Sequence, residues 1–137
     1  MIICETALKN LFLEYNKEYF DDVLPMPVIT FSDSYRNLGY FSCYFDNWGC
    51  YNPIIEISNV YDFTPDQMRE VLVHEMLHYY LAYTGQDTRL RHGKEFLKHA
   101  KRLNAIYGLS VGERIDDTYI RLRKGKSNIR RFLSNLF

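Results

Sequence analysis

His74-Glu75-Met76-Leu77-His78 constrains this chain more than any other stretch. Histidines four residues apart on an α-helix are separated by about 400°, so they point the same way, roughly 6 Å apart along the axis. Both imidazoles then reach one zinc ion at Zn–N distances of about 2.0–2.1 Å. Glu75 projects about 100° round from His74, beside such an ion rather than on it. A carboxylate there can take a proton from a water that the ion has activated. At average composition the pattern arises by chance in roughly one chain in a few hundred of this length.

The segment around the motif reads as a helix with a defined start. Thr64 suits the N-cap and Pro65 the first helical position, and Gln67 completes a T-x-x-Q capping box. Met68, Val71, Leu72, Met76, Leu77 and Leu81 give an apolar face broad enough for a largely buried helix, and Gly85 can stop it. That predicts about 20 residues and a length of about 30 Å. A second helix is expected from His92 or Gly93 to about Tyr107, ended by Gly108, with Phe96, Leu97, Ala100, Leu103 and Ile106 as its packing face. Upstream, Leu8, Leu11, Phe12, Tyr15, Tyr19 and Phe20 predict a helix from residue 5 to about 23, stopped by Leu24-Pro25-Met26-Pro27. Residues 28–32, 39–45 and 54–58 read as strands, the last two forming a hairpin across Asp46-Asn47-Trp48-Gly49. Residues 118–122 read as a further strand and 129–136 as a short helix. The expected class is α+β in one domain over residues 1–137: an N-terminal helix, a small three- to four-stranded sheet, and the motif helix packed against a second ligand-bearing helix.

Composition narrows the class further. At 137 residues, 47% hydrophobic and 25% charged, the chain should be globular with one ordinary core. No apolar run approaches the roughly 20 residues of a membrane span. The start, Met1-Ile2-Ile3-Cys4-Glu5, lacks the pattern of a secretory leader, and a cytoplasmic setting is expected. Cys4, Cys43 and Cys50 form an odd set without C-x-x-C spacing, which argues for a reducing compartment and against a structural Cys4 zinc site. Cys43 and Cys50 either face each other across the hairpin or are buried free thiols. The formal net charge is zero but unevenly spread: residues 1–88 hold 4 Lys/Arg against 13 Asp/Glu, and residues 89–137 hold 13 against 4. From 118 to 137 there is no acid, while Arg121, Arg123, Lys124, Lys126, Arg130 and Arg131 are basic. This segment can contact DNA phosphates, dock on the acidic half of its own chain, or form a solvated face.

A catalytic zinc needs about three protein ligands and an open position. Of the remaining histidines, His92 follows His78 across a loop that reverses the chain, and it sits beside Gly93, where backbone can approach closely. His99 lies two turns further on, about 10 Å along the axis, so the two cannot share one ion from a straight helix. His92 is the favoured third ligand, with Asp, Glu or Cys as alternatives, and His99 reads as a packed or surface residue. Glu70, one turn before His74, reads either as a partner that orients a ligand or as an exposed charge.

The combination resembles the SprT-like metallopeptidases, which include the Spartan proteases. The resemblance is carried by His74-Glu75-Met76-Leu77-His78-Tyr79-Tyr80-Leu81, then His92-Gly93-Lys94-Glu95-Phe96 and Arg102-Leu103-Asn104. Upstream, Asn16, Tyr19-Phe20, Leu24-Pro25, Ile29-Thr30-Phe31-Ser32 and Leu38-Gly39 agree with the same family, over roughly residues 8–107. It implies a zincin-like fold and one zinc ion (Zn2+) per chain held by His74, His78 and His92. It also implies Glu75 as catalytic base and a protein or peptide substrate. Many relatives continue into a cysteine-rich zinc module, but no cysteine follows Cys50, so the compact catalytic domain alone is expected. The leading reading is a zinc-dependent peptidase. Its rivals are a non-proteolytic zinc-binding module, a DNA-associated interaction module built on the basic C-terminal segment, and a zinc hydrolase of non-peptide amides.

Overall fold

A computed structural model describes residues 4–87, 89–112 and 120–123. The chain first forms helix α1 (Glu5–Tyr19), which buries Leu8, Phe12, Tyr15 and Tyr19. It ends at Tyr19, short of the expected residue 23, because Asn16 takes over the local hydrogen bonding. The Asn16 carbonyl accepts from the N–H groups of Phe20 and Asp22 at 3.0 and 2.9 Å. Its side chain clamps the backbone of Leu24, donating to the carbonyl at 2.9 Å and accepting from the N–H at 3.2 Å. The turn needs φ of +53° at Asp21 and +60° at Asp22, a region that short polar side chains tolerate better than most.

Three strands follow: β1 (Val28–Ser32), β2 (Gly39–Asp46) and β3 (Gly49–Ser58). They form one sheet in the order β1-β3-β2, with β1 parallel and β2 antiparallel to the central β3. Strand β3 begins five residues before its expected start at Ile54. Pro53 argues for a break, and the chain answers with an irregularity instead of an end. Between the pairs Ser42↔Ile54 and Tyr44↔Tyr51, two residues of β3 oppose Cys43 alone, and one of them, Asn52, has φ +52°. Pro53 precedes the part of β3 that β1 also pairs, so its missing N–H interrupts pairing on one side only. Only β2 of the hairpin is an edge strand, because β3 lies between its two neighbours.

The inner face of the sheet packs on α2 (Pro65–Tyr83), burying Ile29, Phe41, Ile55 and Ile57. Tyr79 joins the layers: its ring lies 5.3 Å from Phe41 and 6.5 Å from Phe12, and its hydroxyl donates to the Pro25 carbonyl at 2.8 Å. Cys43 and Cys50 are half-buried free thiols facing each other across the hairpin. Burial, and secondarily Cys50 beside it, pushes Cys43 up to about 12. Helix α3 (Lys94–Tyr107) ends on Gly108 at φ +69°, and Asn104 then clamps Val111 with two 2.8 Å bonds. A separate two-stranded ribbon pairs β4 (Tyr61–Asp62) with β5 (Arg121–Leu122), so the sheets hold three and two strands. Of the strand expected at 118–122, residues 118 and 119 lie outside the described residues, as does the helix expected at 129–136. The architecture is α+β and zincin-like, and no helix among the described residues is long and apolar enough to cross a membrane.

The start of α2 is fixed as its sequence predicts. Gln67 N–H donates to Thr64 Oγ1 at 3.2 Å, and Thr64 N–H donates to Gln67 Oε1 at 2.9 Å. Thr64→Ala removes one arm of this box and should destabilise the protein by about 1 kcal/mol. Thermal unfolding should show a melting temperature lower by about 4 °C, and an unchanged value would mean the box contributes nothing.

Candidate metal centre

Three turns into α2 the apolar face is interrupted by His74, Glu75 and His78, all buried, with relative exposures of 8%, 5% and 7%. Their neighbours on the helix, Val73, Met76, Leu77 and Tyr79, are buried as well, so the polar groups sit in a hydrophobic wall. His92 arrives from the other side, just before the N-cap Gly93 of α3. Its Nε2 lies 3.1 Å from Nε2 of His74 and 3.0 Å from Nε2 of His78. Nitrogens arranged tetrahedrally round one zinc would stand about 3.3 Å apart, so the observed spacing is that of a ligand set to within a few tenths of an ångström. His74, His78 and His92 thus form a group able to hold a metal ion.

The surroundings suit that task. Phe96, one turn into α3 and fully buried, lies 5.0, 4.7 and 4.8 Å from the rings of His74, His78 and His92. One phenyl ring therefore backs all three imidazoles and restricts their rotation. Burial, then the nearby His92, lowers the pKa of His74 to about 4, with the Gly112 backbone opposing. Burial, then His74 and His92, lowers His78 to about 3. Neutral imidazole is the form that ligates a metal, so the pocket favours the binding state. Burial alone raises Glu75 to about 8. Its Oε1 lies 3.9 Å from His74 Nε2, and its Oε2 is buried with no hydrogen-bond partner. An orphaned buried carboxyl calls for a nearby cation or a substrate group, and a metal among the imidazoles meets the first need.

Two positioning features escape a reading of the sequence. Gly39 passes so close to α2 that a Cβ there would lie 2.9 Å from Glu75 Cγ and from Val71 Cγ1. The strand therefore needs glycine to lie against the carboxylate, a reason that Leu38-Gly39 alone does not disclose. The second is Asp87, whose carboxylate accepts from the N–H groups of Arg89 and Arg91 at 2.8 and 2.9 Å. Burial raises its pKa, but these two bonds and the Arg91 charge outweigh that and hold it below the ordinary value. Asp87 thereby shapes the loop that delivers His92. The signal available in sequence was an Asp two residues before a backbone amide, a common turn device.

His99 is elsewhere: its Nε2 meets Gln86 Oε1 at 2.8 Å, and its ring packs edge-on against Tyr80. Glu70 lines a separate surface notch of about 280 Å³ with Asp66, Arg69 and Ser110. Burial raises its pKa and the Arg69 charge opposes.

Residues 8–118 match the model of the SprT-like family. The chain belongs to that family. Over 43 residues it is 46% identical to the DNA-dependent metalloprotease SPRTN of Homo sapiens, and equally to the proteins of that name from Bos taurus and Rattus norvegicus. The matched stretch is 31% of this SprT-like chain but only 9% of each relative.

The loop geometry gives a test. Asp87→Ala should weaken metal binding by roughly tenfold or more, because the His92 loop loses its anchor. Asp87→Asn keeps one of the two acceptor oxygens and should recover only part of the loss. Competition against a chromogenic chelator measures both. Equal affinity in Asp87→Ala and the parent would remove Asp87 from this role.

Proposed function

We propose that this SprT-like protein is a zinc-dependent peptidase of protein substrates, with His74, His78 and His92 as ligands of one zinc ion and Glu75 as general base. The observation that carries the reading is the convergence of three Nε2 atoms, two of the contacts at 3.0 and 3.1 Å, beside a buried carboxyl with an unpaired oxygen. A structural metal site has no use for such a carboxyl, and three histidines leave a coordination position open. The metalloprotease names of the relatives support the same chemistry. The three free cysteines fit a reducing, cytoplasmic setting.

Zinc, when bound, supplies a positive charge that acidifies a water and polarises the scissile carbonyl. Glu75 takes the proton of the attacking water and returns it to the leaving nitrogen. Its apolar surroundings raise the carboxyl's affinity for a proton, which favours taking one from water, and a cation among the imidazoles would keep the carboxylate charged beforehand. Phe96 keeps the imidazoles in place while this happens. Substrate backbone is gripped by β2. The Leu38 carbonyl accepts from Ser58 N–H at 2.9 Å, so strand alternation turns the N–H and C=O groups of Gly39 and Phe41 to the open edge. Those groups lie next to Glu75, where an extended peptide can add as a further strand whatever its side chains.

A DNA-contacting role for the basic C-terminal segment is a second reading, favoured by the DNA-dependent activity in the relatives' name. Against it, Arg123 donates from Nη1 to the Asn59 carbonyl at 3.0 Å, and Arg121 stands opposite Asp62 in the ribbon. Salt-sensitive binding of the parent to single-stranded DNA, lost on neutralising Lys124, Lys126, Arg130 and Arg131, would establish it.

Glu75→Gln should retain one zinc per chain and the parental fold while cleavage of an unfolded protein falls at least about 100-fold. His92→Ala should lose the metal as well. Undiminished cleavage by Glu75→Gln would defeat the mechanism, and stoichiometric zinc in His92→Ala would defeat the ligand assignment. Gly39→Ala is expected to keep zinc but to lose activity, because the added methyl displaces the Glu75 side chain. Normal turnover in that variant would show the carboxylate tolerates the shift.

A further inference from the structure

Among the described residues, helix α2 covers one face of the sheet. Phe41, Ile55 and Ile57 are buried under α2, but the other face of the hairpin carries aromatic rings in the open. Tyr40 is 52% exposed, Tyr44 63%, Tyr51 43% and Trp48 96%. Tyr44 and Tyr51 are cross-strand partners whose rings stack at 5.6 Å. The row has a direction. It starts at Tyr40, next to the glycine that touches Glu75, and runs along β2 for about 20 Å to the turn that carries Trp48.

Its charge is one-sided. The hairpin, residues 39–58, holds Asp46 and Glu56 with no lysine, arginine or histidine. Glu56 lies opposite Tyr40, and Asp46 accepts the Trp48 N–H at 2.7 Å, so carboxylates stand at both ends of the row. Exposed aromatic faces flanked by carboxylates attract Lys and Arg side chains. The same field repels a phosphate backbone. A strand added to the open edge of β2 would also set every second side chain beside Tyr40 and Tyr44, at the spacing of cross-strand pairs.

We propose that the outer face of the β2–β3 hairpin docks an extended polypeptide segment rich in lysine and arginine and feeds it along β2 towards Glu75. This rests on the peptidase reading for what happens at Glu75, but not for the docking itself. The edge of β2 grips backbone, and the aromatic row selects cationic side chains.

Trp48 is the single tryptophan of the chain, so its fluorescence reports on this surface. The experiment titrates zinc-loaded Glu75→Gln protein with an unstructured Lys/Arg-rich peptide, a Glu/Asp-rich counterpart, or oligo-dT. The basic peptide alone should shift the emission to the blue and saturate. Replacing Tyr44 and Tyr51 together with alanine should weaken that binding roughly tenfold while leaving zinc content unchanged and lowering the melting temperature by only a few degrees. Replacing Glu56 with Gln and Asp46 with Asn should weaken it and flatten its salt dependence. An equal response to the acidic peptide, a response to oligo-dT instead, or silence with all three overturns the proposal. Cleavage assays on wild type separate the two readings. A fluorescence response without cleavage of any substrate leaves the docking surface and removes the peptidase. Cleavage of neutral and basic substrates at equal rates, with silent fluorescence, does the reverse.

Discussion

The meeting of three histidine Nε2 atoms, two from a hydrophobic wall and one from the exposed His92, is the constraint on which the rest of this molecule depends. Lone pairs brought within 3.0–3.1 Å of one another repel unless a proton or a cation lies between them. Burial makes the proton expensive, because it lowers the pKa of His74 to about 4 and of His78 to about 3. The arrangement also needs the rings to be prevented from turning away. Phe96 does this for all three at once, and the helix backbone does it for the two on α2. Packing against Phe96 and the geometry of α2 together set the rings at the spacing of a ligand set, and such preorganisation is what a three-ligand site needs to bind firmly.

The same wall explains why the sheet and α2 must touch so closely. Glu75 sits one residue from His74 and points between the ligands and β2 rather than at the ion. A side chain on the facing strand would fill the space the carboxyl uses, and only glycine leaves it open. Once Gly39 is in place, the neighbouring β2 residues fall into fixed roles. Phe41 is pinned in the core at 4% exposure, and the edge groups of residues 39 and 41 face outward beside the carboxylate. In the proposed mechanism, the position of the base and that of the substrate are thus set by one backbone contact.

Much of this was legible in the sequence because it follows from short-range chemistry. The capping box of α2, the common direction of His74 and His78, and the separation of His99 from His92 all come from helix geometry and turn residues. What stayed hidden involves partners distant in sequence. The end of α1 depended on Asn16 reaching Leu24, which apolar spacing cannot reveal. The full length of β3 was obscured by Pro53, because a proline signals a break and only the paired strand shows a bulge instead. The central place of β3 was hidden for a related reason: hairpin chemistry pairs β2 with β3, but nothing local says that β1 adds parallel on the far side. Asp87 and Gly39 belong to the same class, since each matters through a residue the sequence does not place beside it.

The bulge at Asn52-Pro53 has a consequence for the whole site. Side chains in a strand alternate with period two, so the residues that face α2 and those that face solvent are distinguished by register alone. Glu56 is held opposite Tyr40 by the pairing of residues 39–42 with 54–57, and Tyr51 opposite Tyr44 by the pairing beyond the bulge. Had β3 continued without the extra residue, the outer half of the hairpin would pair one position out of step. Tyr51 would then no longer oppose Tyr44, and Cys50 would lose its place opposite Phe45. Asn52 adopts φ +52° to absorb that residue, and Pro53, lacking an N–H, removes the competing ladder bond that would favour a regular strand. The local irregularity thus keeps both ends of the hairpin in phase, with apolar groups turned to α2 and aromatic rings turned to solvent along the whole length of β2.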